Sequence, residues 1–129
     1  MSFEYWFESD RNLDSNKLKE LFIEAGADIV SDPNKAIQAF YSDSGLSVWE
    51  HEVSDGQENI KSEDTQGLEF QVGCRCVFRF DSYEYDKKVY ALEAFMNGVY
   101  DDTGAKFIVS FQLEKIHYIN RGEGVERCA

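Results

Sequence analysis

The sequence predicts an α+β two-layer sandwich: a mainly antiparallel sheet with two helices on one face, in the order β-α-β-β-β-α-β-β. Three observations predict it. Two stretches, 14–25 and 82–100, repeat apolar residues at helical spacing, and several others alternate at period two with aromatic or β-branched residues on one side. The chain has 129 residues, 43% hydrophobic and 15% aromatic. That is near the commonest size of a single domain, and long enough to bury roughly two-thirds of its unfolded surface without a disulfide or a metal. Two amphipathic helices and a one-sided sheet satisfy one another most economically when both helices cover the same side. Residues 1–129 therefore read as one domain.

The first strand is Phe3-Glu4-Tyr5-Trp6-Phe7-Glu8, with aromatics at 3, 5 and 7 and acids at 4 and 8; Trp6 suggests that the polar face is partly covered. Asp14 is the expected N-cap of the first helix, with Leu13 and Leu18 as a hydrophobic staple. Leu18, Leu21, Phe22 and Ala25 form its stripe and Gly26 ends it. Asp32-Pro33-Asn34 marks a turn. A hairpin follows, 37–41 and 46–53 about Asp43-Ser44-Gly45. Residues 54–67 read as a long polar loop with one large apolar residue, Ile60; loops of this length are commonly functional or disordered. Leu68 to Phe80 reads as one long bent strand, with Gly73 as a bulge or kink. A second helix, capped at Ser82, carries Tyr85, Val89, Leu92, Met96 and Val99 to about Tyr100. Strands at 107–111 and 115–120 close the list, and 121–129 has little to pack.

Charge bounds the function. The chain holds 25 Asp plus Glu against 13 Lys plus Arg, a formal charge of −12. Disordered acidic tails lack such aromatic content, so the charge belongs to the surface of a folded domain. A surface of this sign repels nucleic acid and anionic membrane and draws in basic partners. No run of about 18 apolar residues offers a membrane span. The opening Met1 to Tyr5 lacks the basic, then apolar, pattern of a secretory signal. Three cysteines, Cys74, Cys76 and Cys128, show no zinc spacing and suit a reducing compartment. The chain reads as cytoplasmic.

No catalytic set emerges. His51 and His117 sit in no metal-binding spacing, Ser44-Gly45 lacks the pattern around a nucleophilic serine, and Gly122-Glu123-Gly124 lacks the helix and base of a phosphate loop. The expectation is no catalytic residue, no cofactor and no metal. One region stands out. Between Glu50 and Glu69 seven acids face the single base Lys61. Tyr41, Asp43, Trp49, Glu50, Glu52, Asp55, Glu58, Glu63 and Asp64 are the candidate partner-binding set, with aromatics as anchors and carboxylates steering the encounter. A solvated loop, with Trp49 in the core, accounts for the same residues.

Two parts of the chain carry a resemblance. The opening 3–8, then Leu13-Asp14 and a helix with Leu18, Leu21 and Phe22, resembles the start of small bacterial immunity proteins of polymorphic and contact-dependent growth inhibition toxin systems. Val77-Phe78-Arg79-Phe80-Asp81, a helix, Phe107-Ile108-Val109-Ser110-Phe111 and Glu114-Lys115-Ile116 are similar in the same order. The match covers about half the chain and omits its middle. It implies a cytoplasmic, non-enzymatic antitoxin that occludes the C-terminal toxin domain of a secreted effector, often a nuclease, with an acidic surface in place of phosphates. It transfers no catalytic residue, and it points to the unmatched middle as the interface. Two other readings stand beside it. One is a small-ligand-binding or enzymatic domain with a pocket between helices and sheet, lined by Tyr5, Phe7, Tyr85 and the Cys74/Cys76 face. The other is a subunit that pairs through an exposed sheet edge.

Overall fold

The computed structural model describes residues 2–31 and 36–128. The elements run β1 (Ser2–Ser9), α1 (Ser15–Glu24), β2 (Ile29–Ser31), β3 (Gln38–Tyr41), β4 (Leu46–Glu50), β5 (Cys74–Asp81), α2 (Tyr85–Thr103), β6 (Phe107–Phe111), β7 (Lys115–Asn120) and β8 (Val125–Arg127). The strands form one sheet in the order β2-β3-β4-β5-β1-β6-β7-β8, antiparallel at every pairing. The expected α+β architecture is present, with two short edge strands, β2 and β8, added to the expected series.

Both helices lie on one face. Side chains alternate across a strand, so Tyr5 and Phe7 of β1, Cys76, Phe78 and Phe80 of β5, and Phe107 and Val109 of β6 point to the helices, all buried. Phe95 of α2 sits at the centre. Its ring lies 5.0 Å from Phe7, 5.0 Å from Phe22 of α1 and 5.3 Å from Phe78. Such pairs contribute about 0.5–1.5 kcal/mol beyond the area they bury. Asp14 caps α1 by accepting from the Lys17 N–H at 2.9 Å, and Leu13 and Leu18 are buried as the staple requires. At α2 the cap is not Ser82. Glu84, at φ 47°, precedes the helix without a side-chain cap bond. The buried Lys88 ammonium instead fixes this corner, donating to the Ser44 and Tyr83 carbonyls and pairing with Asp81 at 3.0 Å.

Three further expectations need correction. Residues 68–72 are not strand; β5 begins at Cys74. Gly73 is not a bulge but a close approach. A Cβ there would stand 2.6 Å from the Arg11 Cα and 2.8 Å from the Asp10 carbonyl oxygen. The 121–129 segment is not loose throughout, because β8 pairs with β7 through Tyr118↔Arg127, Ile119↔Glu126 and Asn120↔Val125. The turn expected at Asp32-Pro33-Asn34 lies outside the described residues.

Candidate docking surface

The second face of the sheet has its own cover. Residues 51–73, which lack regular secondary structure, leave the end of β4, cross to the β6–β7 turn and return to the start of β5. This strap lays Leu68, with the partly buried Ile60 and Phe70, on Ile108, Ile116 and Ile119. The expected loop is thus an ordered layer, and Leu68 and Phe70 belong to it rather than to a strand.

A buried ion pair pins it. Glu8 of β1 and Arg75 of β5 are cross-strand partners on this face, both fully buried, with Arg75 Nη2 2.9 Å from Glu8 Oε2. Burying charge is costly unless each remaining hydrogen-bonding atom is occupied. The strap occupies them. The Lys61 and Ser62 N–H groups donate to the two Glu8 oxygens at 2.8 and 3.0 Å. The Arg75 guanidinium donates to the carbonyls of Gln57 and Asn59. Further bonds hold the ends: Glu63 N–H to the Leu113 carbonyl, Val72 N–H to that of Glu58, and Gly73 N–H to that of Ser9.

The strap therefore presents its six acids, against one lysine, on a backbone with fixed partners. Glu52, Asp55 and Glu63 are exposed, and Glu58 is half-buried. Asp64 is partly structural, accepting from the Ile116 and Gln66 N–H groups. Between the limbs of the strap lies an open depression of about 540 Å³, lined by Ile60, Leu68 and Phe70 with Glu69 and the polar Asn59, Thr65 and Gln71. Beside the strap the sheet face is uncovered over β3 and β4. Trp49 and Phe40, both half-buried, line an open groove of about 280 Å³ there.

The remaining candidates go elsewhere. Tyr41 is buried on the helix side, its hydroxyl directed to the Phe22 carbonyl at 3.5 Å; it belongs to the core and offers no surface anchor. Burial pushes that hydroxyl's pKa well up. Asp43 is exposed on the β3–β4 turn, paired with Lys87 at 3.2 Å, at the opposite end of β4 from the strap. Glu50 faces the helices, accepting from the Ser15 hydroxyl at 2.5 Å and the Ile37 N–H at 3.2 Å. The structure thus groups Trp49, Glu52, Asp55, Glu58, Glu63 and Asp64 on the strap side of the sheet, and separates Tyr41, Asp43 and Glu50 from them.

Sequence reasoning missed Ile60, Phe70 and Phe40 as surface apolar groups, because alternation alone could not reveal which sheet face the loop would cover. It also missed the exposed Tyr83 and Tyr90 at the start of α2. Of the residues expected to line a pocket under the helices, Phe7, Cys74 and Cys76 are sealed in the core, where burial raises the Cys76 thiol well above its ordinary value. Tyr5 and Tyr85 do line a cavity, with His117, Tyr118 and Arg127. Among the described residues no group of three or more His, Cys, Asp or Glu could hold a metal, and no helix is long and apolar enough to cross a membrane. No protein-family model, characterised protein or solved structure matches the chain significantly.

Proposed function

We propose that this protein is an immunity protein: a cytoplasmic antitoxin that binds a cognate toxin domain, of nuclease type, and covers its active site with the acidic strap face. The observation that carries the reading is the strap. It carries the exposed Glu52, Asp55 and Glu63 and the half-buried Glu58, with Glu69 at the rim of an apolar-floored depression, on a backbone fixed by the Glu8–Arg75 pair. A preorganised surface loses little ordering entropy on association. Its sign suits the basic cleft with which a nuclease holds a polyanion, and speeds the encounter. Ile60, Phe70 and Trp49 supply the partly exposed apolar contacts that carry affinity at such interfaces. The resemblance of the strand-helix segments at 3–22 and 77–116 to immunity proteins points the same way, and it leaves the strap, where cognate pairs differ, as the contact.

The test combines capture with neutralisation. Tagged protein is used to retain partners from its native bacterium. Each retained domain is expressed alone, scored for toxicity, and assayed with and without this protein. A toxic domain silenced at equimolar ratio establishes the reading, and its failure to appear overturns it. The interface is tested separately by reversing Glu52, Asp55, Glu58 and Glu63 to Lys. Association at low salt should then slow by about tenfold or more, with folding stability changed by no more than about 0.5 kcal/mol. An unchanged association rate moves the interface off the strap.

A further inference from the structure

The cavity at the edge of the helix layer has a construction that a toxin-docking surface does not require. It lies between α2 and the strands β1, β7 and β8, encloses about 170 Å³, and gathers Tyr5, Tyr85, His117, Tyr118 and Arg127 around an apolar wall of Val89 and Leu92. The register shift of β7 against β6 builds it. Tyr118 pairs with Val109 while Ile116 pairs with Ser110, so His117 is the extra residue of a β-bulge. In an unbroken strand Ile116 and Tyr118 would share a face. Here Ile116 packs under the strap while Tyr118 joins the helix-side core. The bulge thus brings His117 and Tyr118 together against α2. His117 stacks on Phe111 at 5.7 Å, and its Nδ1 lies 3.1 Å from the Tyr5 hydroxyl.

The polar groups gather about a bonded pair with a charge at the mouth. Tyr5 and His117 are linked by a hydrogen bond, and Tyr85 lines the same cavity. Whichever way the proton runs, one end of the pair is left with a free N–H or O–H donor. Tyr118 is already committed to Glu93, donating at 2.9 Å. Arg127, exposed on β8, forms no ion pair with any described residue, and its positive charge reaches Tyr5, His117 and Tyr118 alike. Lys115 adds to the same field at His117. In a chain of net charge −12 these two cations stand at the cavity with the carboxylate of Glu93 nearby, which accepts from Tyr118 and lines the adjoining cleft with Arg127.

We propose that this cavity binds a small oxyanion, a carboxylate or phosphate of about the size of benzene, which a cavity of roughly 150 Å³ can hold. Arg127 supplies the charge and the planar fork of donors suited to carboxylate or phosphate. The Tyr5–His117 pair supplies a neutral donor, Tyr85 adds a hydroxyl to the lining, and Val89 and Leu92 cover any apolar remainder of the ligand. The site is separate from the strap, so it stands whether or not the immunity reading does.

The experiment is an NMR titration of the full chain with acetate, inorganic phosphate and, as the uncharged control, acetamide, following the His117 ring and the Arg127 Nε–H. The expected result is a saturable shift of both signals by acetate or phosphate, with a midpoint below about 10 mM, and none by acetamide. The arm that saturates identifies the anion class. Arg127→Gln, at an exposed position, should keep the remaining spectrum and weaken binding by about tenfold or more. Tyr85→Phe should weaken it as well. Shifts that stay linear with concentration, an equal response to acetamide, or binding untouched by Arg127→Gln would each overturn the site and leave an adventitious ion only.

Discussion

The two faces of one sheet are covered in opposite ways. On the helix side the cover is regular secondary structure held by apolar contact, with the Phe95 ring against those of Phe7, Phe22 and Phe78, and Phe22 against Phe78. On the strap side the cover has no regular structure and is held by hydrogen bonds to one buried ion pair, over a small cluster of Leu68, Ile108, Ile116 and Ile119. Among the described residues, the two buried polar side-chain atoms without a hydrogen-bond partner, His51 Nδ1 and Ser110 Oγ, lie on the strap side, where His51 packs against Trp6, the cross-strand partner of Ser110. A cover of the first kind resists opening with the whole domain; one of the second kind depends on a few directional contacts and can open by itself. The difference explains how an acid-rich segment stays ordered. Its apolar content is too small to fold it, so the sheet lends it a charge pair to fold upon.

Breaking the pair should have the largest effect. Arg75→Ala leaves the Glu8 carboxylate buried without its counter-charge and should cost about 3–5 kcal/mol. Phe95→Ala, at the centre of the helix-side cluster, should cost about as much through its cavity. The two differ in where the loss appears. Hydrogen exchange after Phe95→Ala should speed in step with the global loss. After Arg75→Ala the amides of Lys61 and Ser62 and their neighbours in 51–73 should exchange far faster than the loss of global stability accounts for. The paired change Glu8→Leu with Arg75→Met sharpens the contrast, because matched apolar replacements of a buried pair are often near neutral. It should restore denaturation stability while the strap stays open to exchange. Protected strap amides in that double variant would show that apolar packing, not the ion pair, orders the segment.

Gly73→Ala tests the return of the strap to β5. The added methyl carbon would meet the Arg11 Cα at 2.6 Å and the Asp10 carbonyl at 2.8 Å, both backbone and unable to swing aside. The cost of overpacking at such a point is about 1–3 kcal/mol. Denaturation should report this loss, and exchange should place it at residues 72–74 and the β1–α1 turn. A neutral substitution would mean that the strap's exit is more pliable than its Gly73 N–H to Ser9 carbonyl bond suggests.

The contrast between the faces also decides what the sequence disclosed. Helix-side elements announce themselves because their cause is local: the Asp14 cap, the Leu18-Leu21-Phe22 stripe and the period-two aromatics of β1 and β5 are all visible within a few residues of chain. The strap's cause is not local. Glu8 and Arg75 are 67 positions apart; that Arg75 pairs with a carboxylate across the sheet is readable from its strand face, but which carboxylate, and that the pair is buried, waits on the register. The same blindness put Leu68 and Phe70 into a strand, since their alternation with Val72 and Cys74 is real, and only the strap's path separates them from β5. Of the candidate contacts, the acids at 52, 55, 58 and 63 were legible from composition, whereas Tyr41 and Glu50 look identical in sequence to surface residues and are placed by the sheet's handling of β3 and β4. Arg127 was hidden for a different reason. β8 is three residues long and is held by pairing rather than by any propensity of its own.

The smallest expected effect is a pH dependence that belongs to the helix side alone. Burial, then the nearby charges of Lys115 and Arg127, hold the His117 imidazole below its ordinary value in the folded protein. The unfolded chain takes up this proton near pH 6.5, before the folded chain does. In that window the unfolded state binds more protons, so stability rises with pH and falls as pH drops through about 6.5, levelling off below the folded value. Carboxylates titrate lower, and taking the difference between the unaltered protein and His117→Gln from about pH 7.5 to pH 5 removes whatever the chain's second histidine, His51, contributes. The groups facing it include Tyr5, held up to about 12, which stays protonated throughout this range. His117→Gln should flatten the slope relative to the unaltered protein while leaving exchange in the strap unchanged at each pH. A strap that opened in step with protonation of His117 would show that the two covers communicate through the bulge, where Ile116 and Tyr118 take opposite faces, and would end the description of the sheet as a partition between two independent layers.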